Sequence, residues 1–130
     1  MYDPLRHKEV ADTPEERVRQ WFIGELIQSF GVPAHLMMSE TGFLFGNKRY
    51  RADILIFNRS GEPMAVVECK RPDVRIDASV IEQAMRYDSA LNLKVLILTN
   101  GKFTYLYTRK GDKFVPCTEP LDFERMLCLP

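Results

Sequence analysis

Two apolar segments joined by a tight turn constrain the fold of this chain more than any other feature. Residues 50–57 and 64–70 are rich in aliphatic side chains, and residues 58–62 between them (NRSGE) have the composition of a turn. Strand, tight turn and strand predict an antiparallel β-hairpin. Each strand also contains an acid, Asp53 in the first and Glu68 in the second. We therefore expect a sheet that carries a pair of carboxylates.

Patterns on either side of this hairpin predict the other elements. Thr13-Pro14-Glu15-Glu16 is typical of a helix start, and the helix should end near Phe30, before Gly31. Its predicted apolar face consists of Val18, Phe22, Ile23, Leu26 and Ile27. Residues 1–12 are expected to form an arm or a short turn. Further strands are predicted at 36–46, 95–98, 103–108 and 113–115, and further helices at about 77–91 and 121–129. The crossover helix at 77–91 should make one strand pair parallel.

Length and composition indicate one α/β domain over residues 1–130, with a core at about 13–116. We expect no membrane span and no signal peptide, because long apolar runs are lacking, and hence a cytoplasmic location. The 3 cysteines have no C-x-x-C spacing, and the 2 histidines are far from them in sequence. These counts argue against a disulfide framework and against a structural zinc site.

Asp53, Glu68 and Lys70 form the candidate chemical site. Side chains alternate along a strand, so Glu68 and Lys70 should point to one face and Cys69 to the other. Pairing of the two strands can bring Asp53 beside Glu68. Two carboxylates are hard oxygen ligands for Mg²⁺ or Mn²⁺, and the carbonyl of Cys69 could be a further ligand. Lys70 would orient or help deprotonate a water, or stabilise charge on phosphorus.

A plainer interpretation of these three residues stays open. The acids could end their strands in water, with Lys70 in a surface ion pair with Glu68, because acidic-x-basic triplets are common. That reading is weaker here since both acids adjoin apolar runs, where charges are rarely buried without a partner.

The overall charge is balanced, with 18 Lys and Arg against 18 Asp and Glu. Phosphate contacts supply most non-specific affinity for nucleic acid, so DNA binding would need a local basic patch. Basic residues do cluster in sequence around the acids, either as such a rim or as solvated loop charges: Lys48, Arg49, Arg51, Arg71 and Arg75.

Five segments occur in order along the chain: 13–20 (TPEERVRQ), 51–53 (RAD), 67–72 (VECKRP), 83–87 (QAMRY) and 98–101 (LTNG). Together they resemble the PD-(D/E)XK nuclease superfamily and, more narrowly, the N-terminal nuclease domain of type I restriction enzyme R subunits. The resemblance implies a restriction-endonuclease-like core, a mixed β-sheet flanked by helices in the order αβββαβ with a C-terminal hairpin. It also implies hydrolysis of DNA with Mg²⁺, or Mn²⁺ as its substitute.

By this resemblance Asp53 and Glu68 correspond to the metal-binding acids and Lys70 to the catalytic lysine. Ala52 stands where the nominal Pro of the pattern would be. That proline varies widely in the superfamily, so its absence here does not argue strongly against the assignment.

Gln83 and Tyr87 match the Q-x-x-x-Y element of the restriction-enzyme branch, and their spacing places them on one helix face. They would hold the site or contact DNA; alternatively the helix packs its Tyr on the sheet with Gln at the edge. The superfamily often takes one more acid from the first helix. We expect Glu15, on the inward face, with Glu16 as the alternative; both could instead be first-turn acids that complement the helix dipole.

The R subunit couples its nuclease to a translocating helicase, whereas this sequence has no Walker-type G-x-x-x-x-G-K-[ST]. We expect a stand-alone nuclease, a module that serves a separate motor or specificity subunit, or an inactive module that binds nucleic acid or protein. The sequence leaves homodimer formation open. A different metal-dependent hydrolase is a further alternative, although no histidine lies near the acids in sequence.

Overall fold

The computed structural model describes residues 1–45, 47–89 and 92–130, without the side chains of 43–45, 48, 50 and 86–89. In chain order the elements are β1 (Tyr2–Asp3), β2 (Lys8–Glu9), α1 (Pro14–Gln28), a 3₁₀ turn (Ala34–Leu36), β3 (Met37–Phe45), β4 (Lys48–Phe57), β5 (Pro63–Cys69), α2 (Ala78–Ser89), β6 (Val95–Thr99), β7 (Thr104–Lys110), β8 (Lys113–Pro116) and α3 (Phe123–Leu127). The predicted α/β class and the order αβββαβ followed by a hairpin are confirmed. None of the described helices has the length and apolar character to cross a membrane.

Within the described residues, six strands form one mixed sheet in the order β3-β4-β5-β6-β7-β8. Neighbouring strands are antiparallel except β5 and β6, which are parallel and are connected through α2. The predicted β4–β5 hairpin pairs Ile54 with Val67. The side chain of Asn58 closes its turn, because it accepts hydrogen bonds from the backbone N–H groups of Ser60 and Glu62.

Apolar side chains cover both faces of the sheet. α1 and α3 pack on one face and α2 on the other. In β6, Val95 and Ile97 belong to the first layer and Leu96 and Leu98 to the second, all fully buried. Burying one such side chain stabilises the fold by about 1.5–3 kcal/mol. The unbroken apolar run thus predicted correctly a central strand covered on both faces.

Helix α1 begins where the sequence predicts. The hydroxyl of Thr13 accepts a hydrogen bond from the backbone N–H of Glu16 at 3.1 Å, which caps the helix. The predicted apolar face is buried at Val18, Phe22, Ile23 and Leu26. The prediction for Ile27 is wrong, since this residue is 39% exposed. Ile27 lies at the edge of the apolar stripe, past the part that the sheet covers.

Residues 1–12, expected to be an arm or a short turn, contain a small hairpin of β1 and β2. Asp3 is fully buried in it and accepts hydrogen bonds from the backbone N–H groups of Leu5 at 2.7 Å and Arg6 at 3.1 Å. The Ser39 hydroxyl of β3, at 2.7 Å, and the Arg6 guanidinium also donate to Asp3. This carboxylate therefore fastens the hairpin to the sheet.

Candidate active site

Glu68 and Lys70 lie at the end of β5, on the face of the sheet that carries α2. Cys69 between them is buried in the layer on the opposite face, as strand alternation predicts. Glu68 and Lys70 line one cavity of about 290 Å³, together with Arg51, Val80, Gln83, Ala84 and Leu98. An acid, an amide and two cationic side chains thus share one concave surface.

Asp53 lies where β4 and β5 stop pairing in register, one residue beyond the Ile54 pair. Its Oδ2 accepts a hydrogen bond from the backbone N–H of Cys69 at 2.7 Å, and its Oδ1 accepts one from Nη2 of Arg19 at 2.8 Å. Asp53 therefore contacts the backbone of the residue between Glu68 and Lys70, although it does not line their cavity. It approaches β5 from the side of α1, which supplies Arg19.

Arg19 is a buried guanidinium surrounded by four carboxylates. Its Nη1 lies 2.7 Å from Glu16, and its Nη2 lies 2.8 Å from Asp53, 3.1 Å from Glu40 and 3.6 Å from Glu15. Burial alone would lower the pKa of Arg19, but the hydrogen bond and charge of Asp53, with the charges of Glu16 and Glu40, raise that pKa above its ordinary value. Arg19 is therefore always charged and balances part of the acidic cluster.

Glu40 joins this cluster through an unusual backbone conformation. It lies in β3 between the Ser39–Ile54 and Thr41–Ala52 pairs, which places it opposite Asp53. Its φ of 50° is in the left-handed region that non-glycine residues rarely adopt. Such strain costs on the order of 1–3 kcal/mol and persists only where surrounding contacts enforce it. The Arg19 ion pair is such a contact.

Sequence reasoning missed Arg19 and Glu40. A signal for Arg19 was present, because it lies three residues before Phe22 and four before Ile23, next to the buried stripe of α1. A charged side chain at that position needs buried partners. Glu40 left no comparable signal, since a positive φ at a glutamate cannot be read from its neighbours.

The two acids of the first turn differ in their surroundings. The side chain of Glu16 is 8% exposed and accepts hydrogen bonds from Arg6, Arg19 and Gln20. The side chain of Glu15 is 46% exposed. Glu16, the alternative, is therefore the more buried of the two, while Glu15 is half-exposed and lies 3.6 Å from Nη2 of Arg19. A role for Glu15 in the site stays a prediction.

Helix α2 brings Gln83 to the cavity that Glu68 and Lys70 line. Tyr87 belongs to the same helix, but its side chain lies outside the described residues. Of the proposed Q-x-x-x-Y pair, the structure thus places only the first member beside the candidate site.

The basic residues around the acids are only partly gathered there. Arg51 lines the cavity and forms an ion pair with Glu40. Arg71 forms an exposed ion pair with Asp73 at 3.2 Å, and Arg75 lines a different cavity. Arg49 is exposed, and the side chain of Lys48 lies outside the described residues.

The oxygen donors at this end of β5 have the chemistry of Mg²⁺ or Mn²⁺ ligands. They are the carboxylates of Asp53 and Glu68, the Gln83 amide and the Cys69 carbonyl. In the part of the chain that the structure describes, no three His, Cys, Asp or Glu residues are grouped so as to hold a metal ion. Each Asp53 oxygen keeps a second lone pair beside its present hydrogen bond. The donor types therefore match those of Mg²⁺, which usually binds one or two carboxylates and several waters, although Asp53 does not line the cavity that holds Glu68.

The mixed sheet, with an acid in β4 and Glu-x-Lys at the end of β5, defines a PD-(D/E)XK nuclease-like domain. Residues 14–119 match the family described as "Type I restriction enzyme R protein N terminus (HSDR_N)", and the chain belongs to this family. The predicted family is thus confirmed.

A solved structure from Anabaena variabilis, described as a "putative nuclease belonging to DUF820", has a similar fold. It aligns with a TM-score of 0.54 and 13% sequence identity, over 94% of this chain and 84% of that chain. No curated protein matches this sequence significantly.

Proposed function

We propose that this domain hydrolyses phosphodiester bonds of DNA with a divalent cation, Mg²⁺ or Mn²⁺ as its substitute. The observation that supports this most is the cavity of about 290 Å³ shared by Glu68, Lys70 and Gln83. Asp53 adjoins it through the 2.7 Å hydrogen bond to the N–H of Cys69. Carboxylates that can hold a metal, beside an ammonium group, suit metal-assisted hydrolysis of a phosphodiester.

In this proposal Asp53, Glu68 and the carbonyl of Cys69 hold the cation, which supplies Lewis-acid chemistry at the phosphodiester when bound. Lys70 lines the cavity, where its ammonium group would orient the attacking water or stabilise charge on phosphorus, or its neutral amine would help to deprotonate that water. Its backbone N–H donates to the carbonyl of Thr99 at 2.9 Å, which fixes its place at the end of β5.

Gln83 and Arg51 are proposed to contact the DNA backbone at the same cavity. The formal net charge is zero, so non-specific affinity for DNA should be weak and sensitive to salt. We propose that a separate motor or specificity subunit of a restriction system delivers the DNA. This assignment follows from the family, whose description names the R protein of type I restriction enzymes.

A cleavage assay with a matched lysine control tests the proposal. Linear, circular and branched DNA are incubated with Mg²⁺ or Mn²⁺ and the wild-type protein, Lys70→Ala or Lys113→Ala. Lys113 is an exposed lysine of β8 that does not line the cavity. We expect Lys70→Ala to cut at least about 100-fold more slowly, the usual loss for a proton-transfer residue. Equal rates for all three proteins would reject the mechanism.

A second candidate is a non-catalytic module on the same fold that binds nucleic acid or protein. It is favoured by the engagement of both Asp53 oxygens with Arg19 and Cys69. Thermal melting with Mg²⁺ or Mn²⁺ separates the two functions. A bound metal stabilises the fold by about 2.7 kcal/mol at 100 times its Kd. An unchanged melting temperature, with no cleavage, would favour the binding module.

A further inference from the structure

The carboxylate of Asp53 is held by an ion-pair chain that starts in the N-terminal hairpin. We propose that Arg19 is the positioning residue of Asp53, and that the hairpin of β1 and β2 holds Arg19 in turn through Arg6 and Glu16. The hairpin precedes residues 14–119, the region that matches the family. Only the consequence for metal binding rests on the proposed function.

Two donors from different elements fix the orientation of Asp53. Arg19 of α1 donates to Oδ1 at 2.8 Å, and the backbone of Cys69 in β5 donates to Oδ2 at 2.7 Å. Hydrogen bonds between charged groups are roughly twice as strong as neutral ones. The side chain of Arg19 is only 6% exposed, so little water competes for the Asp53 oxygen.

Glu16 holds the other side of the Arg19 guanidinium. Its Oε1 accepts from Nη1 of Arg19 at 2.7 Å and from Nη2 of Arg6 at 2.6 Å. Its Oε2 accepts from the amide of Gln20 at 3.1 Å. Because one oxygen serves both guanidinium groups, Glu16 cannot turn away from Arg19 without also releasing Arg6.

Arg6 is itself tied to the buried carboxylate of Asp3. Charges of alternating sign therefore run without a gap from the hairpin to the candidate site, through Asp3, Arg6, Glu16, Arg19 and Asp53. A displacement of the hairpin would change the position of Arg19 and, through it, that of Asp53.

The surrounding charges make Arg19 necessary for the position of Asp53. Glu40 lies on the same nitrogen of Arg19, at 3.1 Å. Without the guanidinium, the Asp53 carboxylate would lose this cationic partner and face the like charge of Glu40, which would keep its ion pair with Arg51. Repulsion between the two carboxylates would turn Asp53 away from the backbone N–H of Cys69.

Amide hydrogen exchange measured by NMR without metal tests the positioning directly. The Cys69 amide reports on Asp53, which accepts its hydrogen bond. The neighbouring Lys70 amide donates to the carbonyl of Thr99 and serves as an internal control. The variants are Arg19→Gln, Arg19→Lys and Arg6→Gln. Arg17→Gln is the matched control, because Arg17 lies on the same helix and pairs with the exposed Asp12.

We expect protection of the Cys69 amide to fall by about 10-fold in Arg19→Gln, the loss of roughly one hydrogen bond. Arg6→Gln should cause a smaller fall and Arg19→Lys an intermediate one, while the Lys70 amide and the Arg17→Gln protein stay unchanged. If Arg19→Gln does not fold, Arg19→Lys and Arg6→Gln decide the question. Unchanged Cys69 protection, or equal losses at both amides, would overturn the proposal.

Calorimetric titration with Mn²⁺ in the absence of DNA tests the consequence for the metal site. Arg19→Lys keeps the positive charge but loses the planar guanidinium group, which donates several hydrogen bonds in fixed directions. If Arg19 positions Asp53, this variant should bind Mn²⁺ about 10–100-fold more weakly, as is usual when a residue that orients a metal ligand is changed. Wild-type affinity in Arg19→Lys would overturn the positioning role. A wild-type protein that binds no Mn²⁺ would instead refute the proposed function, and the Cys69 amide would still decide the role of Arg19.

Discussion

Replacement of Asp3 by Asn should destabilise the protein far more than the loss of a surface charge. Asp3 is fully buried and accepts hydrogen bonds from Ser39, from the Arg6 guanidinium and from two backbone N–H groups. Asn keeps one acceptor oxygen, but its amide N–H₂ group is a donor. This group would face the donors that bind one of the two Asp3 oxygens, so those hydrogen bonds would be lost. Removing one member of a buried ion pair costs about 3–5 kcal/mol, and we expect the lower value because Arg6 retains Glu16.

The effect of Asp3 should depend on pH. Burial alone would raise the pKa of Asp3, but hydrogen bonds from Ser39, Arg6 and Leu5 hold that pKa well below its ordinary value. A carboxyl whose folded pKa is depressed stabilises the fold above its unfolded pKa of about 3.9, and this stabilisation is lost as the pH falls toward the folded pKa. The difference between wild type and Asp3→Asn should therefore shrink by about 1 kcal/mol at pH 3.

Urea denaturation between pH 7 and pH 3 measures both quantities. Asp112→Asn is the matched control, since Asp112 is an exposed acid in the turn between β7 and β8. We expect the free energy of unfolding at pH 7 to fall by about 3 kcal/mol in Asp3→Asn and by less than about 0.5 kcal/mol in the control. Equal, small losses in both variants, or a difference that does not change with pH, would contradict this account of the buried carboxylate.

Three further predictions concern the core, a helix cap and the cysteines. Leu96→Ala, at a fully buried position of β6, should lower the free energy of unfolding in urea by about 2–5 kcal/mol. Thr13→Ala removes the side-chain cap of α1 and should cost about 1 kcal/mol in thermal unfolding. Burial raises the pKa of the Cys69 thiol, so iodoacetamide should modify the exposed Cys128 well before Cys69, as peptide mass spectrometry of the native protein would show.

The elements that could be predicted are those with a local pattern. Thr13 and Pro14 mark the start of α1, and the apolar run at 95–98 marks a central strand, because capping and burial depend on adjacent residues. The placement of Glu68 and Lys70 on one face also follows from strand alternation alone. These features required no knowledge of distant parts of the chain.

The parts that could not be predicted depend on charges distant in sequence. Arg19 meets Asp53 across 34 positions, and Asp3 meets Ser39 across 36. Ion pairs leave no periodic signal, so the hairpin of β1 and β2 was not foreseen, and Glu16 was predicted only as the alternative to Glu15. The net charge of zero does not show how these charges are distributed, because the two members of a buried ion pair contribute nothing to the net charge.

The parallel pairing of β5 and β6 determines when the cavity can form. Parallel strands cannot be joined by a tight turn, so residues 70–94 must cross the sheet before these strands pair. Pairing of segments distant in sequence is slow compared with hairpin formation. The cavity takes Glu68 from β5, Leu98 from β6 and Gln83 from the crossover helix. A nascent chain that has emerged from the ribosome only as far as the β4–β5 hairpin therefore already contains both proposed metal-binding acids. Any cleavage activity would nevertheless begin only after the crossover segment and β6 have been translated and have folded.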